Sequence, residues 1–351
     1  MAWLISLRDL QWRRRRFAIG VVATSLVFGL GLVLSGVKAS FDNEIRRTVN
    51  SFGADVWLLK AGSLGPFTAP RPLPVSRAKD VRRLPGVKRA DPVVLLGATT
   101  TTPGKRNLNL VGVVPGGVGS PPGAEARKLA QPGAAIADDR LGLDVGDRLV
   151  LNGANLHVVD VTHGMTYFAG IPRVTISVRL AQRLGLDNQR LATAIVAQGR
   201  PKTVPRSLAL LENSEVKQDL ARPINPAKDT ISLIRILLWI VASGIIGAIV
   251  YLSVLERVGD FAVLKAIGVS GRDLLISLLL QAVLLSLLSA LLAVGLQAAI
   301  APAVAMSVEV PTVTFLTLPL IAVMVGALAS FLGLRRALAV DPALAFASGA
   351  R

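Results

Sequence analysis

Four apolar runs of about 20 residues or more, at 17–37, 233–255, 274–301 and 315–334, dominate the chain, and they hold one charged residue between them, Arg235. Each run is long enough to cross the roughly 30 Å hydrocarbon layer as a helix. Helices satisfy their own backbone hydrogen bonds, which a segment surrounded by lipid must do. With 351 residues, 52% hydrophobic and only 17% charged, and a mean hydropathy of +0.56, the composition excludes an ordinary soluble enzyme. The fold class expected is a polytopic α-helical membrane protein: four transmembrane helices, with a large α+β extracytoplasmic domain inserted between helices 1 and 2.

Charge placement orients it. Arg13 to Arg16 precede the first run and Arg335 and Arg336 follow the last, while the 302–314 connector has no Lys or Arg. By the positive-inside rule, in the cell (inner or plasma) membrane, both termini are then cytoplasmic. The 38–230 region lies outside. It carries 27 of the 39 Lys and Arg residues, which does not count against this orientation, because long translocated domains escape the charge rule. Residues 13–39 also fit a cleavable secretory signal ending at Val37-Lys38-Ala39, but the apolar run exceeds the usual 7–15 residues, which favours a retained span. Ahead of it, Trp3, Leu4, Leu7 and Leu10 recur at helical spacing, so 1–16 reads as an amphipathic helix in the cytoplasmic headgroup layer. The start of the first span is the alternative. The net charge of +17 comes with 5% aromatics and no nucleic-acid-binding signature, so nucleic acid is not an expected partner. Cysteine is absent, which removes disulfides, thiolate metal sites and thiol nucleophiles.

The 38–230 region reads as mixed α and β. Strands are expected at 55–60, 92–96, 108–114, 134–137, 148–151, 156–161, 174–178 and 192–196, each bounded by Gly, Pro, Asn or Asp. Asn152-Gly153 marks a tight turn, making 147–161 a hairpin. Helical turns are expected at 76–84, 180–184 and 207–211. The Gly- and Pro-rich stretches 62–74 and 115–123 read as surface loops, natural places for substrate or partner contacts, with ordinary loop variability as the favoured alternative for either one.

Catalytic and metal chemistry is not expected. His157 and His163 fall in no metal-ligand spacing. Asp138, Asp139, Asp144 and Asp147 lack the order of a calcium loop and read as a solvated acidic patch. Residues 97–106 end in Gly104-Lys105, but six residues separate the glycines where a phosphate loop has four, and Arg106 stands where a Ser or Thr would hold Mg²⁺. No cofactor is expected on this chain.

The positive signal is the connector 256–273. Phe261, Val263, Leu264 and Ile267 recur near helical spacing, Glu256, Arg257, Asp260 and Lys265 supply charge, and Gly268 and Gly271 permit the turn into the next span. The result is a helical elbow at the membrane surface, through which a partner could push on continuous helices. A plain helix-end anchor is the alternative for Glu256 and Arg257.

The sequence Glu256-Arg257, Asp260, Lys265-Ala266-Ile267-Gly268 resembles the signature of the FtsX-like domain of MacB-type and LolE-type (also DevC-like) ABC transporter permeases. Asp260 stands where the family commonly has Glu, and Phe261-Ala262 where Ile-Gly is common. The likeness extends to Gly53-Ala54-Asp55-Val56, Leu84-Pro85-Gly86-Val87, Val145-Gly146-Asp147 and Asp341-Pro342-Ala343. It implies a MacB-like periplasmic core domain at 38–230, an FtsX-like domain at 231–340 and a cytoplasmic tail at 341–351. It also implies a non-catalytic permease acting with a separate ABC ATPase, on which ATP and Mg reside. A second permease copy (homodimer or heterodimer) and membrane lipid complete the expected partners, with an extracytoplasmic adaptor allowed. The function implied is mechanotransmission: ATP-driven motion passes through the elbow residues Glu256, Arg257, Asp260, Phe261, Leu264, Lys265, Ile267 and Gly268 to export or extract a hydrophobic substrate. An FtsX-like signalling subunit regulating an extracytoplasmic enzyme is the alternative; a membrane-anchored enzyme is a more distant one. Few ionisable groups lie in the spans, unlike an ion-coupled carrier. Small residues four apart, Ser243 with Gly247, Gly244 with Ala248 and Gly326 with Ser330, read as helix-packing faces within one subunit or between two.

Overall fold

The computed structural model describes residues 14–101, 104–121, 125–256, 263, 268, 270–300 and 310–338. Two units make up the chain: Phe41–Ala227, and Met1–Ser40 together with Lys228–Arg351. Helix α1 (Arg14–Ser51) has neither Pro nor an interior break. It ends where Gly53 turns left-handed (φ 57°), with the Gly53 N–H donating to the Asn50 carbonyl.

In the Phe41–Ala227 unit, β1 (Val56–Lys60), β2 (Leu73–Pro74), α2 (Arg77–Arg82), β3 (Arg89–Thr100) and β4 (Arg106–Val113) come first. They are followed by α3 (Glu125–Lys128), β5 (Ala134–Asp138), a 3₁₀ turn (Asp139–Leu141), β6 (Arg148–Leu151), β7 (Ala154–Thr162), β8 (Thr166–Tyr167), β9 (Ile171–Ser177) and α4 (Val178–Gly185). The unit closes with β10 (Leu191–Ala192), β11 (Ala194–Gln198), β12 (Leu208–Glu212) and α5 (Asn213–Ala221).

The long strand β3 organises this unit. Its first half, Arg89 to Val93, pairs antiparallel with β11, extending a sheet in the order β12-β1-β11-β3. Its second half, Val94 to Thr100, pairs with β4 and leads through β9, β5, β7 and β6. A Thr100–Leu151 pairing joins β6 back to β3, so six strands close on themselves. Closure leaves no free edge on that side. Two apolar cores result. Val56, Leu58, Val81 and Ile195 fill one, and Val94, Leu110, Val174 and Ile176 fill the other. Trp57 and Leu59 point to the opposite face of β1 and are also fully buried. That two-sided burial explains why β1 reads as a continuous apolar run rather than an alternating one.

The 152–153 turn forms as expected, with Asn152 and Gly153 both left-handed (φ 46° and 79°) between β6 and β7. Residues 207–211 differ from expectation. Their Leu-rich sequence suits a helix, but Ser207 ends a turn and Leu208 to Leu211 belong to β12, paired in register with β1 from Val56–Glu212 to Lys60–Leu208, because an edge strand against a buried neighbour outweighs local propensity. The helix α5 begins directly after it.

The other unit adds α6 (Asn225–Leu255), α7 (Gly271–Ile300) and α8 (Thr312–Leu338). Gly271 is the first residue of α7 rather than part of the turn before it. Three described helical segments are long and apolar enough to cross a membrane, Phe17–Ser51, Asn225–Leu255 and Ile276–Ile300; α8 contributes a shorter apolar segment, Thr312–Val325. Ala242, Ile246, Val250 and Val254, four apart on α6, pack with Phe28 and Leu32 of α1 and with Ala282, Leu285 and Ala322 of α7 and α8. The opposite faces leave Ile19, Leu291 and Leu316 about 70% exposed, as befits side chains that meet hydrocarbon.

Candidate functional site

The elbow is only partly described. Glu256 is exposed just past α6, and its N–H donates to the Leu252 carbonyl. Val263 is helical and 58% exposed, and Gly268 is left-handed (φ 96°). Ser270 then caps α7: its hydroxyl accepts from the Asp273 N–H at 3.2 Å and donates to the Asp273 carboxylate at 2.7 Å. Arg257, Asp260, Phe261, Leu264, Lys265 and Ile267 lie outside the described residues.

The small-residue positions on α6 are displaced from its buried face. Gly244 and Ala248 are exposed, Ser243 and Gly247 are half-buried, and the Ser243 hydroxyl donates to the Trp239 carbonyl at 2.9 Å. A Cβ added at Gly244 would meet nothing. Gly326 and Ser330 lie on α8, with their side chains outside the described residues. The close approach is made instead by Gly20 of α1, where an added Cβ would stand 2.2 Å from Ile249 Cδ1. Near the end of the first apolar run, Lys38 donates to the Ser232 hydroxyl at 2.7 Å, and Arg235 donates to Ser35 at 3.2 Å and lies 5.3 Å over the Trp239 ring. Such a Lys, Arg and Trp girdle suits a membrane–water boundary.

The most organised polar site lies within Phe41–Ala227. Glu44, on the last third of α1, is only 8% exposed. Its carboxylate accepts from the Thr166 hydroxyl at 2.6 Å and from the N–H groups of Ala169 and Gly170 at 3.2 and 2.8 Å. One turn on, the Thr48 hydroxyl donates to the Thr166 carbonyl at 2.9 Å, and Ser51 accepts from the buried Arg173 guanidinium at 2.8 Å. The i, i+4, i+7 spacing puts all three on one helical face. They grip the β8–β9 connection, where Phe168, Ala169 and Gly170 are consecutively left-handed (φ 56°, 64° and 85°). Only the last is a glycine. Side chains rarely adopt this conformation, and it persists where surrounding contacts enforce it. From the other side, Asn109 Nδ2 donates to the Tyr167 and Ile171 carbonyls.

A second buried carboxylate does the same for another loop. Asp219 of α5 is 2% exposed and accepts from the Phe67 and Thr68 N–H groups at 2.9 and 3.3 Å, and from the Thr68 hydroxyl. Between the two pinned loops lies an apolar cleft of about 470 Å³, walled by Phe41, Phe67, Phe168, Ala169, Pro223 and Ile224. Behind Phe67 an aromatic stack continues through Trp57 and Phe52, with ring centroids 5.8 and 4.8 Å apart.

Burial, only partly countered by Tyr167 and Asp138, lowers the Arg173 pKa, and burial raises that of the Tyr167 hydroxyl. The four aspartates are not one solvated patch. Asp138 is fully buried, capping the 3₁₀ turn and accepting from the Met165 N–H at 2.6 Å, and burial raises its pKa despite those bonds. Asp139 is held below the usual carboxylate range mainly by its 2.9 Å hydrogen bond to exposed His163, which is raised by the same contact. His157 sits within β7, and its N–H donates to the Gly133 carbonyl. Among the described residues no group of three or more His, Cys, Asp or Glu could hold a metal ion. Gly104-Lys105 connects β3 to β4 in a hairpin, not a strand to a helix as a phosphate loop requires.

Apolar helices long enough to span a bilayer, joined to a folded α+β unit, make a membrane protein. The comparisons narrow this. Residues 232–342 match the family model for the FtsX-like permease C-terminal region. Across 342 residues, 97% of this chain and 98% of the relative, the sequence is 40% identical to an uncharacterized ABC transporter permease of Mycobacterium tuberculosis (strain H37Rv), and equally to one of Mycobacterium bovis. A second Mycobacterium tuberculosis permease is 38% identical over 345 residues, covering 97% and 98% of the two chains. The chain belongs to the FtsX-like ABC transporter permease family. Among solved structures, the extracellular domain of the noncanonic ABC-type transporter YknZ is matched at a TM-score of 0.33 and 10% identity, over 45% of this chain and 99% of that one. The periplasmic region of MacB from Actinobacillus actinomycetemcomitans is matched at 0.35 and 9%, over 50% and 97%.

Proposed function

We propose that this permease is the membrane subunit that carries ATP-driven motion of a separate ATPase to the Phe41–Ala227 unit, placed outside the membrane, and thereby exports or extracts a hydrophobic substrate. Four spans with cytoplasmic termini, a second permease copy in contact through the exposed Gly244 and Ala248 face, and ATP with Mg on the partner belong to the same reading. Relatedness over 97% of the chain to proteins named as ABC transporter permeases carries it. Two features give it a physical route. The connector pattern 256–268 offers an apolar and charged edge for a partner. One helix, α1, carries both the first apolar run and the Glu44, Thr48 and Ser51 side chains that contact the β8–β9 loop and β9.

The test is recovery of the cognate ATPase by wild-type and Phe261→Asp chains at matched expression. A buried contact at Phe261 loses about 2 kcal/mol or more when a charge replaces it, so recovery should fall sharply. Equal recovery would reject the coupling role.

A further inference from the structure

We infer that the cleft between the two carboxylate-pinned loops holds one acyl chain of a membrane lipid. The inference rests on the permease reading and names an apolar chemistry for the same chain.

The cleft is built rather than incidental. Phe67 is fixed through its own N–H and that of Thr68 on Asp219, and Phe168 through the two following N–H groups on Glu44. Holding Phe168 and Ala169 left-handed costs conformational energy at each, and Gly65 lies so near Asp219 that a Cβ there would stand 1.9 Å from its Cγ. Preformed walls of this kind are what a binding site requires, and about 470 Å³ lies within the range of ligand pockets.

The lining selects hydrocarbon. Thr68 is the one polar side chain in the wall, and its hydroxyl is already committed to Asp219. Polar groups turned into that wall would find no partner there, whereas a hydrocarbon chain laid along it loses nothing.

Covalent reach selects the bilayer as the source. Phe41 follows Val37, the end of the first apolar run, by four residues, and Ala227 precedes Leu233, the start of the second, by six. At no more than about 3.6 Å per residue, these walls are tethered within roughly 14 and 22 Å of the hydrocarbon edge, whatever the conformation. The polar layer of a bilayer occupies about 5–7 Å of that on each side.

The experiment uses the full chain in vesicles of phosphatidylcholine carrying a photoreactive diazirine on one acyl chain, without any ATPase, so the result stands apart from partner recovery. After irradiation, label mapped by mass spectrometry should appear on peptides holding Phe67, Phe168 or Ile224 as well as on the spans. Ala227→Trp, which fills the cleft, and Phe168→Gly, which removes a wall while easing the backbone, should each lower cleft labelling on the order of fivefold and leave span labelling unchanged. Label confined to the spans, or cleft labelling indifferent to both variants, would overturn the inference. So would an efficient disulfide between two copies of Ala227→Cys in this otherwise cysteine-free chain with no lipid label, since the occupant would then be a second copy.

Discussion

Replacing Glu44 by Ala removes the acceptor of three hydrogen bonds at once. The Thr166 hydroxyl can rotate to another partner, but the Ala169 and Gly170 N–H groups are fixed by the loop. A buried donor left unpaired costs about 1–3 kcal/mol. Ala169 is exposed and Gly170 half-buried, so water replaces part of what is lost and the lower end applies to each. Alanine's better helix propensity returns a few tenths of a kcal/mol, leaving a net loss of about 2 kcal/mol. For a unit the size of Phe41–Ala227 this lowers the melting temperature by roughly 4–8 °C. Without the carboxylate, the left-handed backbone at Phe168 and Ala169 loses one of the contacts that enforce it, while Thr48 and Asn109 still hold Thr166, Tyr167 and Ile171. The Glu44→Ala chain in nanodiscs should therefore melt earlier and show faster amide exchange at Ala169 and Gly170, with α7 unchanged. Ala169→Gly removes the strain at one position, so it should raise the melting temperature of the wild-type chain and gain less in the Glu44→Ala chain, where the backbone is freer to relax; the double variant should melt below the sum of the single effects. Wild-type exchange at both amides, or a melting shift under about 1 °C, would refute the clamp.

Other expectations follow from single contacts. Cysteines placed one at a time at positions 147 and 264 should be labelled by an impermeant reagent on intact cells at 147 only; the reverse pattern would invert the topology. The His163–Asp139 pair has opposite pKa shifts, raised for His163 and lowered for Asp139. Its contribution should be full below the unfolded histidine pKa of about 6.5 and fade as pH rises through the folded value. On the acid side it should persist above the unfolded carboxylate value and fade as pH falls through the folded Asp139 value. His163→Ala should then melt earlier than wild type near pH 5.5 and equally near pH 9, and a pH-independent difference would refute the pairing. Gly86→Ala puts a Cβ 2.3 Å from the Arg200 carbonyl oxygen at φ 95°, and should cost about 2–4 kcal/mol by thermal melting.

Much of the architecture was legible because it rests on local pattern. Apolar runs of membrane-crossing length and the Asn152-Gly153 turn are each dictated by residues adjacent in sequence, and the structure has helices and a hairpin at those places. The helical reading of 207–211 failed for the opposite reason: Leu208, Leu210 and Leu211 carry no local strand signal, and only pairing with Val56 to Lys60, about 150 residues away, decides their state. Asp138 reads as solvated beside Asp139 and Arg140, whereas it ends the buried strand Ala134–Asp138 and the Met165 N–H closes over its carboxylate.

The carboxylate clamps show why functional geometry in this chain outran its sequence. Glu44 sits among Asp42, Asn43, Arg46 and Arg47; Phe41, Ile45 and Val49 recur four apart and mark a buried helical face, but no local signal places a carboxylate beside it. Its partners lie more than 120 residues away. Asp219 likewise sits in a polar helix and reaches back to Phe67 and Thr68. One partial signal is available: the composition of Gly62–Pro74 marks a surface loop, and this segment supplies Phe67 and Thr68 to the cleft wall. Composition said that this segment would be irregular, but the side chain that fixes it came from elsewhere. A glutamate substituted by glutamine at position 44 separates charge from shape here, since Gln keeps one acceptor oxygen but turns an NH₂ toward one of the two N–H donors. It should fall between wild type and Glu44→Ala in both melting and exchange, and an effect equal to that of alanine would show that charge, rather than acceptor count, holds the loop.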